Sequence, residues 1–268
     1  MNQIYNEDNL ITLGRMPDDS IDLTVTSPPY DSLRDYKGFP VYDLRRHRKT
    51  AKELFRVTKQ GGVVVWVVND SCINGSETGT SFMQALIFKK AGWNLFDTMI
   101  YKKAGTAFPD HVRYYQNFEY MFVLSKGMPK TFNPIMDRLN IDFSNKAGRT
   151  RSERRKDGTL KIRKQKNDTR AYGKRFNVWE YSAGFMKSSE DDFVFEHPAI
   201  FPERLAMDHI LSWSNKDDLI YDPFMGSGTV AKKCIELNRN FIGSEISKEY
   251  YDICLKRIAH TSPGLGII

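Results

Sequence analysis

Two short stretches hold the residues whose types and spacing could do chemistry. The first is Ser27-Pro28-Pro29-Tyr30, directly after the run Ile21-Asp22-Leu23-Thr24-Val25-Thr26. Proline has no N–H, fixes φ at about −65° and pushes the preceding residue out of the helical region. Pro28 and Pro29 therefore stop a strand abruptly and hold a stiff segment at its carboxyl end. Two readings stand open: a strand-terminating loop, as most Pro-Pro pairs are, or a preformed hydrogen-bond acceptor site. The second stretch is Asp222-Pro223-Phe224-Met225-Gly226-Ser227-Gly228-Thr229, between a short strand and a helical pattern. Gly226 and Gly228 let the backbone approach a ligand closely, and the helix that follows presents free N–H groups. Glu245 lies 19 residues beyond Gly226, at the end of the next strand. An acid there can hydrogen-bond ribose hydroxyls. No Lys-Ser/Thr follows the glycines, so this is not a phosphate-binding P-loop, and the three-glycine dinucleotide fingerprint is also missing. The expected ligand has a ribose and adenine but needs no pyrophosphate.

The elements that must position these residues alternate along the chain. Residues 3–6, 21–26, 63–68, 95–102, 118–125, 218–222 and 240–245 read as strands, and several are short apolar runs between turn signals. Such runs suit parallel strands buried on both faces. Helical patterns fall over 43–58, 81–92, 201–214, 228–239 and 247–259. In the second of these, Phe82, Met83, Leu86 and Ile87 form the stripe expected to face the core. The alternation predicts an α/β fold, a mostly parallel central sheet with helices on both faces. Residues 95–102 and 118–125 could pair antiparallel across a Gly/Pro-containing loop. The rhythm breaks between 127 and 195, which reads as an insertion. The expected layout is therefore 1–126, an insertion at 127–195, and 196–268 completing the first part.

Charge is concentrated in that insertion. Residues 146–175 hold 13 Lys/Arg against three Asp/Glu, a local charge of +10 in a chain of net +7, so the rest is net −3. Such a cluster is either a solvated loop or the footprint of a polyanion partner. The 268-residue length suits one large domain carrying an insertion. Three scattered cysteines (Cys72, Cys234, Cys254) without CxxC spacing argue for a reducing compartment and against structural zinc. The five histidines show no ligand spacing, so no metal site is expected. No apolar run of membrane-spanning length occurs, and the first residues lack the layout of a signal peptide. A cytoplasmic protein that does not engage membranes is expected.

Taken together, the two motifs resemble those of the β-class, S-adenosylmethionine-dependent DNA amino-methyltransferases. Their catalytic D/N/S-P-P-Y/F motif is here Ser27-Pro28-Pro29-Tyr30, and their cofactor motif is here Asp222-Pro223-Phe224-Met225-Gly226-Ser227-Gly228-Thr229. Catalytic motif first, basic insertion next and cofactor motif last is the circularly permuted order of that class. The resemblance covers nearly the whole chain outside roughly 130–195. It implies a Rossmann-like methyltransferase fold with S-adenosyl-L-methionine as cofactor. It places Asp8 near the cofactor adenine, and His197 and Phe201, in the segment 197–205, at its methionine end. It also makes the 127–195 insertion the target-recognition region. There Arg154, Arg155, Lys164 and Lys166 are expected to hold DNA phosphates, with Asn133, Asn177 and Trp179 as candidate base readers.

The implied reaction methylates the exocyclic amine of a base flipped from double-stranded DNA. Ser27 Oγ and the Pro28 carbonyl would accept the two N–H groups of that amine while Tyr30 stacks on the ring. Serine at the first motif position is commoner among cytosine-N4 members, so cytosine N4 is expected ahead of adenine N6. Prokaryotic or phage origin, a homodimer and a cognate restriction endonuclease belong to the same picture. The rival readings are a non-catalytic nucleic-acid-binding module and an RNA or protein methyltransferase.

Overall fold

The computed structural model describes residues 2–29, 42–104, 112–140, 150–164, 170–182, 191 and 201–261. In chain order these form β1 (Asn2–Tyr5), α1 (Asn9–Arg15), β2 (Ile21–Thr26), α2 (Leu44–Val57), β3 (Thr58–Val68), β4 (Cys72–Ile73), β5 (Ser76–Glu77), α3 (Thr80–Lys90), β6 (Asn94–Ala104) and β7 (Phe118–Ser125). There follow β8 (Arg138–Leu139), β9 (Thr150–Arg154), β10 (Leu160–Lys164), β11 (Tyr172–Gly173), β12 (Val178–Ser182), α4 (Glu203–Trp213), β13 (Leu219–Asp222), α5 (Thr229–Glu236), β14 (Asn240–Ser244) and α6 (Lys248–Ala259).

Eight strands make the central sheet, in the order β1-β14-β13-β2-β3-β7-β6-β12. β7 pairs antiparallel with both β3 and β6, and every other neighbouring pair is parallel. The expected pairing of 95–102 with 118–125 is this β6–β7 ladder. From β2 the chain proceeds through α2 to β3 on one side. From β13 it proceeds through α5 to β14 on the other. The strand order therefore reverses between β13 and β2, and ligands of open α/β sheets bind at the carboxyl ends of such a switch point.

The run Val63-Val64-Val65-Trp66-Val67-Val68 is buried throughout, as a central strand covered on both faces requires. Val64, Trp66 and Val68 join Ala51, Leu54 and Val57 of α2 and Phe88 of α3 in one core cluster. α3 faces this core differently from the expected stripe. Phe82, Met83 and Leu86 are exposed, whereas Ser81, Gln84, Ala85, Ile87 and Phe88 are buried. Apolar residues fall all round this helix, so tertiary partners set its rotation. Trp66 Nε1 donates to Gln84 Oε1 at 2.7 Å, His47 Nε2 meets the Gln84 carbonyl at 3.1 Å, and Phe88 packs edge-on against Trp66.

The chain forms two compact units, Met1–Asn133 with Asn177–Ile268, and Pro134–Phe176. Strand β12 lies within the 127–195 stretch and extends the central sheet at β6. The 134–176 unit contains the antiparallel pairs β9–β10 and β8–β11. Among the described residues no helix is long and apolar enough to cross a membrane.

Candidate active site

At the switch point the two motif-bearing strands are joined directly. β13 and β2 pair through Ile220–Leu23 and Tyr221–Thr24, and Thr26 Oγ1 donates to Asp222 Oδ1 at 2.6 Å. Asp222 Oδ1 also accepts the Phe224 N–H at 3.0 Å. One buried carboxylate thus fixes both the end of β2 and the turn after β13. Burial pushes its pKa up to about 7, against the opposing effect of those two donors. Ser27 follows Thr26 immediately and is half-buried, like Pro29, while Pro28 is buried.

The glycine turn is held from three sides. Pro223 is buried, and the Phe224 ring packs edge-on against Tyr42, centroid to centroid 4.9 Å. The Met225 N–H donates to the Ser244 carbonyl at 2.9 Å, tying the turn to the end of β14. Gly226 and Gly228 have φ of +53° and +83°, the left-handed region that favours glycine. A Cβ on Gly228 would also lie 2.5 Å from Cys254 Sγ.

Glu245 follows β14 and reaches the glycine turn. Its Oε2 accepts the Gly226 N–H and its Oε1 the Ser247 N–H, both at 2.8 Å. Burial raises its pKa, and the backbone donors oppose that shift. Asp8 caps α1 by accepting the Leu10 N–H at 2.9 Å and pairs with Arg46. Asn6 Nδ2 donates to the Glu245 carbonyl at 2.9 Å, joining the segment after β1 to the one after β14.

Behind the turn lies a buried ionic cluster with no local signature in the sequence. Arg257 of α6 is almost fully buried. It donates to Thr229 Oγ1 at 2.9 Å, to the Ser227 carbonyl at 3.3 Å, to Glu203 at 2.6 Å and to Asp191 at 2.9 Å. Lys232 reaches the same two carboxylates. Thr229 Oγ1 also donates to the Phe201 carbonyl at 3.2 Å, which brings Phe201 to the turn through its backbone. The partners of Arg257 lie 28 to 66 residues away along the chain, so spacing could not reveal them.

Tyr30, His197 and Lys166 lie outside the described residues. Arg154 and Lys164 are exposed on the β9–β10 pair and Arg155 on the turn that follows β9. Three suggested base readers have structural partners. Asn133 Nδ2 donates to the Leu211 and Ser214 carbonyls at the end of α4, and Asn177 Nδ2 to Asp97 and the Thr98 carbonyl. Trp179 is buried with its ring 4.6 Å from that of His209. Burial pushes the thiols of Cys234 and Cys254 up, so neither is poised as a nucleophile.

The DNA methylase family model, covering N6 and N4 amino-methyltransferases, matches residues 21–256. The chain belongs to this family. It is 55% identical over 241 residues to the orphan methyltransferase M.BamHII of Bacillus amyloliquefaciens, covering 90% of this chain and 89% of that one. Two solved structures share the fold. The PvuII DNA methyltransferase, cytosine-N4-specific, superposes with a TM-score of 0.66 at 19% identity, covering 100% of this chain and 96% of the other. A DNA modification methylase from Thermus thermophilus, solved with S-adenosyl-L-methionine, gives 0.65 at 21%, covering 99% and 96%. This DNA amino-methyltransferase therefore brings together, at one switch point, both segments that its sequence marks out. The family fits the residues of that edge: the Ser27-Pro28-Pro29 segment after β2, the glycine turn after β13 and the Glu245 carboxylate after β14.

Proposed function

We propose that this chain methylates the N4 amine of cytosine in double-stranded DNA at a specific site, using S-adenosyl-L-methionine. The observation that carries the reading is the Thr26–Asp222 hydrogen bond, which couples the Ser27-Pro28-Pro29 lip to the glycine turn across the switch point. The cofactor supplies an electrophilic sulfonium methyl group. The chain offers it a turn whose glycines leave room for close approach, the start of α5, and the Glu245 carboxylate for ribose hydroxyls. Asp8, Phe201 and His197 are assigned to the remainder of its pocket.

An exocyclic amine is a poor nucleophile because its lone pair is delocalised into the ring. Ser27 Oγ and the Pro28 carbonyl accept its two N–H groups and hold the lone pair toward the methyl group. The prolines contribute stiffness and an acceptor without a competing donor. Rate then comes chiefly from positioning. Tyr30 stacks on the flipped base. The basic 134–176 unit tracks phosphates through Arg154, Arg155, Lys164 and Lys166.

Serine at position 27 favours cytosine over adenine, by resemblance to the N4 members of the family. The test is incubation with DNA and tritiated S-adenosyl-L-methionine, followed by digestion and nucleoside chromatography. Label in N4-methylcytosine is expected. Label only in N6-methyladenine overturns the cytosine assignment, and no label in DNA overturns the reading as a whole.

A further inference from the structure

Asn69, the first residue after β3, lies on the same edge of the sheet as the Ser27-Pro28-Pro29 lip. β2 and β3 pair residue for residue from Leu23–Val63 to Thr26–Trp66. The pairing ends at Thr26–Trp66, and Ser27 and Asn69 each follow the carboxyl end of one of these two neighbouring parallel strands.

The segment that carries Asn69 is held firmly. The neighbouring Asp70 is buried, and its Oδ1 accepts the Ser81 N–H at 2.8 Å and the Thr80 hydroxyl at 3.2 Å. The Ser71 carbonyl accepts the Thr78 N–H at 2.9 Å. Asn69 itself is 8% exposed, and its Oδ1 accepts from Gln116 Nε2 at 3.1 Å. Among the described residues its Nδ2 has no partner, and the atom keeps some contact with solvent. Gln116 occupies the acceptor end of the amide and leaves the two-proton donor end for something else.

We infer that Asn69 Nδ2 donates a hydrogen bond to the ring nitrogen beside the target amine, with Gln116 as the residue that orients it. The chemistry is complementary. Ser27 and the Pro28 carbonyl are acceptors and suit the two amine N–H groups. The atom next to that amine carbon in either amino base is a pyridine-type nitrogen, an acceptor that requires a donor. A site made only of acceptors would leave it unpaired on leaving water, and a buried unpaired polar atom is costly. Thymine and uracil present a ring N–H at this position, so a fixed donor there also rejects them. The inference rests on the amino-methyltransferase reading and deepens it by one substrate contact.

The test is a cycle between protein and base. Duplexes carry at the methylated position either the natural base or its analogue with that ring nitrogen replaced by C–H, 3-deazacytosine for cytosine or 1-deazaadenine for adenine. With the natural base, Asn69→Ala is expected to lower kcat/KM by about 10- to 100-fold, as for a lost hydrogen bond to a desolvated partner. With the deaza base, which has no acceptor, the same substitution should cost no more than about 2-fold. Asn69→Asp replaces the donor with an acceptor at constant size and should fall at least as far on the natural base. Gln116→Ala should lose roughly 3- to 10-fold, again only on the natural base. Cofactor affinity and melting temperature should match those of the unmodified chain. Equal losses on both duplexes, or no loss from Asn69→Ala and Asn69→Asp, overturn the inference. An unmodified chain that methylates neither duplex overturns the enzymatic reading itself.

Discussion

At the carboxyl edge of the sheet, Asp222, Ser227 and Glu245 are buried, and each is hydrogen-bonded to a group distant in sequence. In the 134–176 unit, every residue of β10 is exposed, and Arg163 pairs with the equally exposed Glu153 across the hairpin. The contrast separates two kinds of work. On the proposed function, the sheet edge works through geometry: carboxylates desolvated at a cost and held by fixed donors. The basic unit, on the same reading, works through charge. Exposed ion pairs contribute little to stability, and their cations stay available to a polyanion. Conditions that screen charge should disturb the second region and leave the first nearly intact, whereas single buried substitutions should do the reverse.

The sharpest way to break the first region is Arg257→Met. It leaves Glu203 and Asp191 with fewer countercharges and releases Thr229 and the Ser227 carbonyl. Removing one partner of a buried ionic cluster costs about 3–5 kcal/mol. Thermal unfolding should show it as a fall in Tm, with cofactor affinity reduced in the fraction that stays folded.

A smaller effect of opposite character attaches to Asp222. Its pKa rises from 3.8 in the ordinary range to about 7 in the folded chain, chiefly through burial. The native state then binds the proton more tightly than the unfolded state does. The stability this confers is present at low pH and is lost as pH climbs from about 4 to about 7. Asp222→Asn keeps the acceptor for Thr26 and Phe224 but cannot titrate. Urea unfolding at pH 5 and pH 8 should show the stability of the parent chain falling, relative to this variant, by on the order of 2 kcal/mol. A constant difference would mean that Asp222 stays ionised throughout.

For the charged region the expected change is smaller still and depends on salt. Replacing Arg154, Arg155 and Lys164 together with alanine should weaken DNA binding by roughly 10-fold at low salt. The slope of log K against log salt should become shallower by up to about 2.7, near 0.9 for each phosphate no longer neutralised. Cofactor affinity should not move. An unchanged slope in DNA titrations would remove these three residues from the interface.

The sequence made the sheet edge legible because its signals are local. Pro-Pro after an apolar run, glycines before a helix, and Glu245 at the next strand end each follow from backbone restrictions that act over a few residues. The burial of 63–68 was readable for the same reason. What was not readable depends on partners far along the chain. The exposed Phe82, Met83 and Leu86 match a core stripe as well as the buried Ser81, Gln84 and Phe88 do, and only Trp66 and His47 decide between them. Trp179 is a candidate base reader by sequence, yet β12 buries it against His209. Arg257 carries no signal in the sequence, because its anions sit on other elements.

In the proposed mechanism the end of β2 holds the amine while methyl transfer occurs. Single-turnover methylation by Ser27→Ala, with cofactor and DNA both saturating, tests it most directly. Loss of one acceptor to a reacting N–H should slow the chemical step by about 30- to 100-fold, with the affinities for cofactor and DNA within about 2-fold of the parent. A parent-like single-turnover rate would contradict the claim and place the chemistry elsewhere on the sheet.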